Sequence, residues 1–256
     1  MVNKTVAVWL LDPLKYCVEF LAEEIALSAL NERGLTALSA LPLVLKQAKI
    51  GIRDPKLIQA FDRLLVQAPS DAMLANEEIQ RDFSKSKAHG SIGFWSAIET
   101  TVEDVFNGFI TNTDWAEQRL LSTIPNIKVP KRSGISPFEF NRRLFRASEN
   151  AVKGEANVAR RYQFILRSFD IDPTITDADL DILNELSEMR NVILHRRGIV
   201  DDVFVYKCPN SGYKPGDVYK IDRIKYMSFY DACSAFISSM FDKASRHIIV
   251  PGTQSG

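Results

Sequence analysis

An all-α fold is the expectation for this chain of 256 residues, and three features of its sequence carry it. Apolar residues recur at helical spacing, helix-capping side chains stand at legible starts, and only one region is rich in β-forming residues. The composition, 46% apolar and 25% charged, is that of an ordinary globular protein with enough material for a sizeable core. No run approaches the roughly 20 apolar residues of a membrane span. The start, MVNKTVAVWLLDPLKYCVEFLAEE, soon meets charge and shows no small-residue cleavage site, so neither a membrane anchor nor an export signal is expected.

The elements follow in order. Asp12-Pro13, Asp54-Pro55 and Ser136-Pro137 each place a capping side chain before a proline suited to the first helical turn. Ser136 with Glu139, Thr176 with Asp179 and Ser228 with Asp231 have capping-box spacing. Gly34, Gly154 and Gly198 stand where helices should stop. These marks predict helices near 12–32, 36–49, 54–67, 71–84, 91–112, 137–153, 155–169, 177–197 and 228–248. The stripe Trp95, Ile98, Val102, Val105, Phe109 makes the fifth amphipathic, and Val158, Tyr162, Ile165, Phe169 does so for the seventh. The segments IVDDVFVYK and DVYKIDRIKY flank a turn-rich CPNSGYKPG, which predicts a small β-hairpin before the last helix. The polar stretch SKSKAHGSIG near 84–93 is the candidate boundary between an N-terminal helical region, 1–88, and a helical domain, 89–256. The tail PGTQSG is expected to fray.

Charge and chemistry narrow the function classes. The net charge is zero, which argues against a protein that coats nucleic acid through bulk electrostatics. Residues 128–167 nevertheless hold ten Lys or Arg against three acidic residues, a local excess of +7 that suits contact with an anion or, equally, solvated helix faces. Cys17, Cys208 and Cys233 are scattered without metal spacing, so thiols in a reducing cytoplasm are expected. His89, read as a loop residue, His195 and His247 are isolated from one another, no phosphate-binding glycine loop occurs, and no Ser or Cys sits in a nucleophile elbow. No cofactor or metal is expected.

What survives is a mechanism resting on one His and one Arg in EMRNVILHRRGIVDD, residues 188–202. On a helix Asn191 and His195 lie one turn apart on one face, and Arg190 lies at the edge of the stripe Ile182, Leu186, Met189, Ile193. A cation beside an apolar seam is costly unless something negative meets it. That something would be a phosphate or, in the structural alternative, Glu185, Glu188 or Asp201. At the seam's edge a second helix or a second subunit would close over these residues.

The segment RNVILHRRGIVDD resembles the signature of the HEPN superfamily of helical-bundle ribonucleases: Arg, a polar residue that is often Asn, then His on a late helix. Arg190, Asn191 and His195 match it, and the following GIVDD resembles the Gly-aliphatic-aliphatic-Asp that many members carry. The resemblance is close over about a dozen residues, and residues 1–88 match nothing in it. It implies a HEPN-like bundle with an N-terminal helical extension, and a homodimer whose two Arg/His sets meet at the subunit interface and cut RNA without metal. It also implies a cytoplasmic toxin or antiphage, abortive-infection effector, restrained by an antitoxin or other regulatory protein.

In such a reaction His195 would take the 2′ proton or give one to the leaving oxygen. Arg190 would bind the non-bridging phosphate oxygens, and Asn191 would orient the ring or the phosphate. Arg196 and Arg197 are the nearest candidates for further phosphate contacts, with Arg160, Arg161 and Arg167 on the preceding helix as outer ones. Tyr162 and Phe164 would stack a base or, more readily, pack in the core. Two rival readings stay open: a non-catalytic helical interaction module, and an RNA-binding adaptor using residues 128–167.

Overall fold

The structure, a computed structural model, describes residues 5–155 and 157–248; the tail expected to fray, 251–256, lies outside them. It is an all-α bundle. In chain order the helices are α1 (Thr5–Lys49), α2 (Pro55–Gln80), α3 (Ser84–Asn112), α4 (Ala116–Thr123), α5 (Pro137–Ala151), α6 (Val158–Arg167), α7 (Asp177–Arg196), α8 (Asp202–Lys207) and α9 (Arg223–Ile248). A short 3-10 turn, Pro209–Ser211, follows α8. Among the described residues no helix is long and apolar enough to cross a membrane.

Several starts form as the capping rules dictate. Asp54 accepts from the Lys56 N–H at 2.8 Å, and Ser136 accepts from that of Glu139 at 3.2 Å. Thr176 and Asp179 make a reciprocal capping box at the head of α7. Gly34 and Asp12-Pro13, expected to bound helices, instead lie inside the 45-residue α1. The leucine- and alanine-rich sequence around Gly34 propagates the helix through a residue of weak propensity. The expected break between 67 and 71 is likewise bridged by α2, with Pro69 internal. The stretch 84–93 is helical too, opening α3 and carrying His89 within it. Ser228 is interior to α9, because Asp222 caps earlier and accepts from the Lys225 N–H at 2.8 Å.

The expected β-hairpin does not form. Asp201 accepts the Phe204 N–H at 2.9 Å and starts α8, so a capping carboxylate overrides the β-branched composition of IVDDVFVYK. What remains of the pairing is one antiparallel bridge between Ile199 and Val218, where Val200 donates to the Asp217 carbonyl at 2.9 Å.

The described residues divide into two compact units, one of 5–22, 91–155, 157–219 and 227–248 and the other of 23–90 and 220–226. The first holds an aromatic core. Phe109 stacks on Phe169 at 4.7 Å, Phe106 meets Phe145 and Phe169 edge-on, and Trp95 stacks on Tyr162 at 5.9 Å. Tyr162 is therefore a core residue, as its helical spacing favours, while Phe164 stays exposed. Gly108 admits Trp9 of α1, since a Cβ there would lie 2.3 Å from the indole. All three cysteines are free and buried, and burial pushes the Cys17 and Cys208 thiols up to about 11 and about 12, so they are poor nucleophiles.

In the second unit, Lys87 is buried at 1% exposure. Its ammonium donates to the Asp82 carbonyl at 2.6 Å and to the Asp82 carboxylate at 2.8 Å, with Glu32 at 3.8 Å. The hydrogen bond from Lys87 holds the Asp82 carboxyl below its ordinary range. Asp82→Asn would leave that ammonium undercompensated and is expected to cost about 1–2 kcal/mol, less than for a fully buried pair because Asp82 is half in water. A folded pKa lowered below the unfolded one stabilises fully above the unfolded pKa and is lost as pH falls through the folded value. Urea unfolding should therefore show the gap between wild type and variant at neutral pH, closing below about pH 4.

Candidate functional site

Helix α7 changes character along its length. Leu180, Leu183, Leu186, Met189 and Val192 are buried, whereas Asn191, Leu194, His195, Arg196 and Arg197 are exposed. The helix thus emerges from the core in its last two turns. Arg197 ends it in the left-handed conformation, φ 55°, and Gly198 follows at φ 80° with its N–H on the Val192 carbonyl at 3.0 Å.

The anion that meets Arg190 is Glu99 of α3, whose Oε2 accepts from Nη1 at 2.7 Å, each side chain being 35% exposed. None of the expected carboxylates takes this role. Glu185 accepts the Tyr219 hydroxyl at 2.6 Å, Glu188 accepts Lys207 at 2.6 Å, and Asp201 pairs with Arg196. Glu99 has company. Burial pushes the Glu149 carboxyl above its ordinary range, with Arg161 and Arg146 opposing and Glu99 and Glu103 reinforcing the shift. Arg161 therefore faces a carboxylate group, and its Nε is buried with no hydrogen-bond partner among the described residues.

Asn191 donates to Glu188 Oε2 at 3.4 Å, a long bond that ties it to its own helix. His195 is exposed and, among the described residues, makes no hydrogen bond or ion pair. Leu194, next to it in sequence, and Ile199, just after the helix stop, are exposed and apolar, with Val218 across the bridge from Ile199. Arg190, Asn191, His195, Arg196 and Arg197 all lie in the last turns or the cap of α7, Arg190 and His195 about 140° apart around the helix, with Arg190 and Arg196 already carrying carboxylate partners.

The outer arginines are dispersed. Arg160 pairs with Asp177 at 2.8 Å, and Arg167 lies 3.8 Å from Asp172 and over the Phe164 ring. Within the basic segment Arg132 pairs with Glu117, and Arg142 and Arg143 pair with Glu139, so much of its excess charge has local partners. Among the described residues no group of three or more His, Cys, Asp or Glu could hold a metal ion. Chemically, the helix end offers a fixed guanidinium, an accessible imidazole and an apolar rim.

Glu99 is the residue that sequence reasoning misses. Its only signal is an acidic side chain one turn after Trp95, at the edge of the α3 apolar stripe, and nothing local links it to a residue 91 positions on. Searches against family models, curated proteins and solved structures give no match for the chain.

Glu99→Gln keeps one acceptor but removes the charge that meets Arg190. It is expected to destabilise the fold by about 1 kcal/mol, whereas Glu188→Gln, at a carboxylate only 8% exposed and bound to Lys207, should cost about 2–3 kcal/mol. Thermal unfolding of the two variants side by side tests that order.

Proposed function

We propose that this chain is a metal-independent endoribonuclease of HEPN type, with the exposed end of α7 as its active site. The observation that carries the reading is His195: an imidazole with no partner among the described residues, five residues beyond an arginine held from the other side by a carboxylate. The bond to Glu99 uses Nη1 of Arg190 and leaves Nε and Nη2 without a partner among the described residues, so a bidentate grip on phosphate oxygens stays available.

RNA supplies its own nucleophile. His195 takes the 2′-hydroxyl proton as the 2′ oxygen bonds to the adjacent phosphorus, and the bond from phosphorus to the 5′ oxygen breaks. The leaving oxygen takes a proton from the second imidazole of a homodimer, giving a 2′,3′-cyclic phosphate and a 5′-hydroxyl. Arg190 meets the charge building on the non-bridging oxygens. Asn191 orients the phosphate, and Arg196 and Arg197 hold the flanking backbone by exchanging or extending their present contacts. The apolar rim of Leu194, Ile199 and Val218 suits closure by the second subunit. An enzyme of this kind serves as a toxin or antiphage effector in the cytoplasm, with an antitoxin or other regulator to restrain it.

The ion pair of Arg190 with Glu99 also supports a second reading, in which the charged seam only pins the bundle of an interaction module. The two readings separate in one assay. Purified protein is expected to cleave total RNA in EDTA and to leave DNA intact, and His195→Ala and Arg190→Ala should each lower the rate at least 100-fold, as loss of a general acid–base or an oxyanion-binding group does. With the melting temperature of His195→Ala close to wild type, that outcome supports the enzyme; inert wild-type protein with a variant that only unfolds earlier supports the scaffold.

A further inference from the structure

The second compact unit leaves apolar side chains uncovered on both α1 and α2, and on α1 some of them fall into line. Its more buried lines are heptad-spaced, running through Ile25 and Leu35 on α1 and through Phe61, Leu65, Ala68, Ala72 and Ala75 on α2. A second line on α1 has the same three-four spacing but faces water: Leu30, Gly34, Ala37, Leu41, Val44 and Ala48. Leu30 is 59% exposed and Val44 54%, and only Leu41 is partly covered. An apolar repeat of 3.5 residues on a helix is the seam of a helix pair, so the missing occupant is itself a helix.

We infer that this seam pairs antiparallel with the same seam of a second copy of the chain. In an antiparallel pair of heptad seams, the register that sets Ala37 opposite Leu41 also sets Gly34 opposite Val44 and Leu30 opposite Ala48. A large side chain then meets a small one in every layer, on both sides of the two-fold axis. Sliding one helix by a heptad sets Leu30 on Leu41 and Gly34 on Ala37, crowding one layer and emptying the next.

Gly34 adds an independent reason. Among the described residues a Cβ at Gly34 would meet nothing within 4 Å, so the protomer has no need of glycine where alanine is the better helix former. Close approach of a second helix at that layer does need it.

Charge and area favour a second copy over a foreign helix. Residues 23–90 carry nine Lys or Arg and nine Asp or Glu, so two copies do not repel, and the outer flank of the seam, Arg33, Ala40 and Gln47, holds a single charge with no code for an oppositely charged partner. Contact over the 19 residues from Leu30 to Ala48 spans ~28 Å and would bury on the order of 1,200 Å² across both copies, the lower end of stable interfaces. The inference rests on α1 alone and stands or falls apart from the ribonuclease reading.

The test is disulfide trapping in the full chain, because a dimer formed through α7 would have the same mass. The native thiols are buried. Ala40→Cys lies beside the proposed two-fold axis, and Thr36→Cys, one turn away on the same flank but turned about 40° further from the seam, is the control. Mild oxidation should link Ala40→Cys into a covalent dimer at least 10-fold faster than Thr36→Cys. Adding Gly34→Leu, which the protomer accommodates, should lower the Ala40→Cys yield at least 10-fold with helical content unchanged. Equal linking at both positions, unchanged yield with Gly34→Leu, or exclusive linking to a different protein would overturn the proposal.

Discussion

A guanidinium cannot rest at the edge of a buried apolar stripe without an anion, and the pair between Arg190 and Glu99 is where that requirement is met. It joins the outer end of α7 to α3, the helix whose Trp95, Phe106 and Phe109 build the aromatic core. Glu99 acts on Glu149, which also feels Glu103, Arg146 and Arg161. The arginines of this group limit the cost of burying its carboxylates, which raise that cost for one another. The geometry of the last turns of α7 therefore depends on a balance of charge spread over three helices, and His195 is displayed from the segment that this balance anchors.

The inner half of α7 is fixed by a different device. Asn184 is buried and accepts the Val158 N–H at 3.1 Å while donating to the Lys207 carbonyl at 2.9 Å, so one amide stitches α7 to α6 and α8. Asn157 caps α6 and donates to the Leu180 carbonyl at 3.1 Å. These are satisfied buried amides, which specify one arrangement of helices because any other leaves them unpaired. A helix held in this way at its middle and clamped by charge near its end presents its terminal side chains in a defined direction. That is what positions a catalytic or binding group.

The helical class, the head of α7 and its stop near Gly198 are all legible in local sequence, because capping boxes and left-handed terminators act within four residues. The boundaries that fail do so where a short-range mark competes with a longer-range gain. Gly34 and Pro69 are weak points that continuous helices override, and Asp201 turns a β-like composition into a helical turn. At the candidate site, the shared face of Asn191 and His195 follows from helical spacing alone, with Arg190 about 140° round the helix from His195. Glu99 does not, since the contact that brings it to Arg190 exists only once α3 and α7 are packed. The same holds for Arg160, Arg161 and Arg167, which look alike in sequence and are separated by their different carboxylate neighbours.

The central claim is chemical: an imidazole and a guanidinium at the end of α7 act on a ribose-phosphate linkage. It is tested most directly by mapping the ends of RNA fragments from cells that express the chain. The account predicts new fragments bearing 2′,3′-cyclic phosphate and 5′-hydroxyl ends, absent when His195 is replaced by Ala. Fragments with 5′-phosphate ends, or an RNA population unchanged by expression of the wild-type chain, would contradict it.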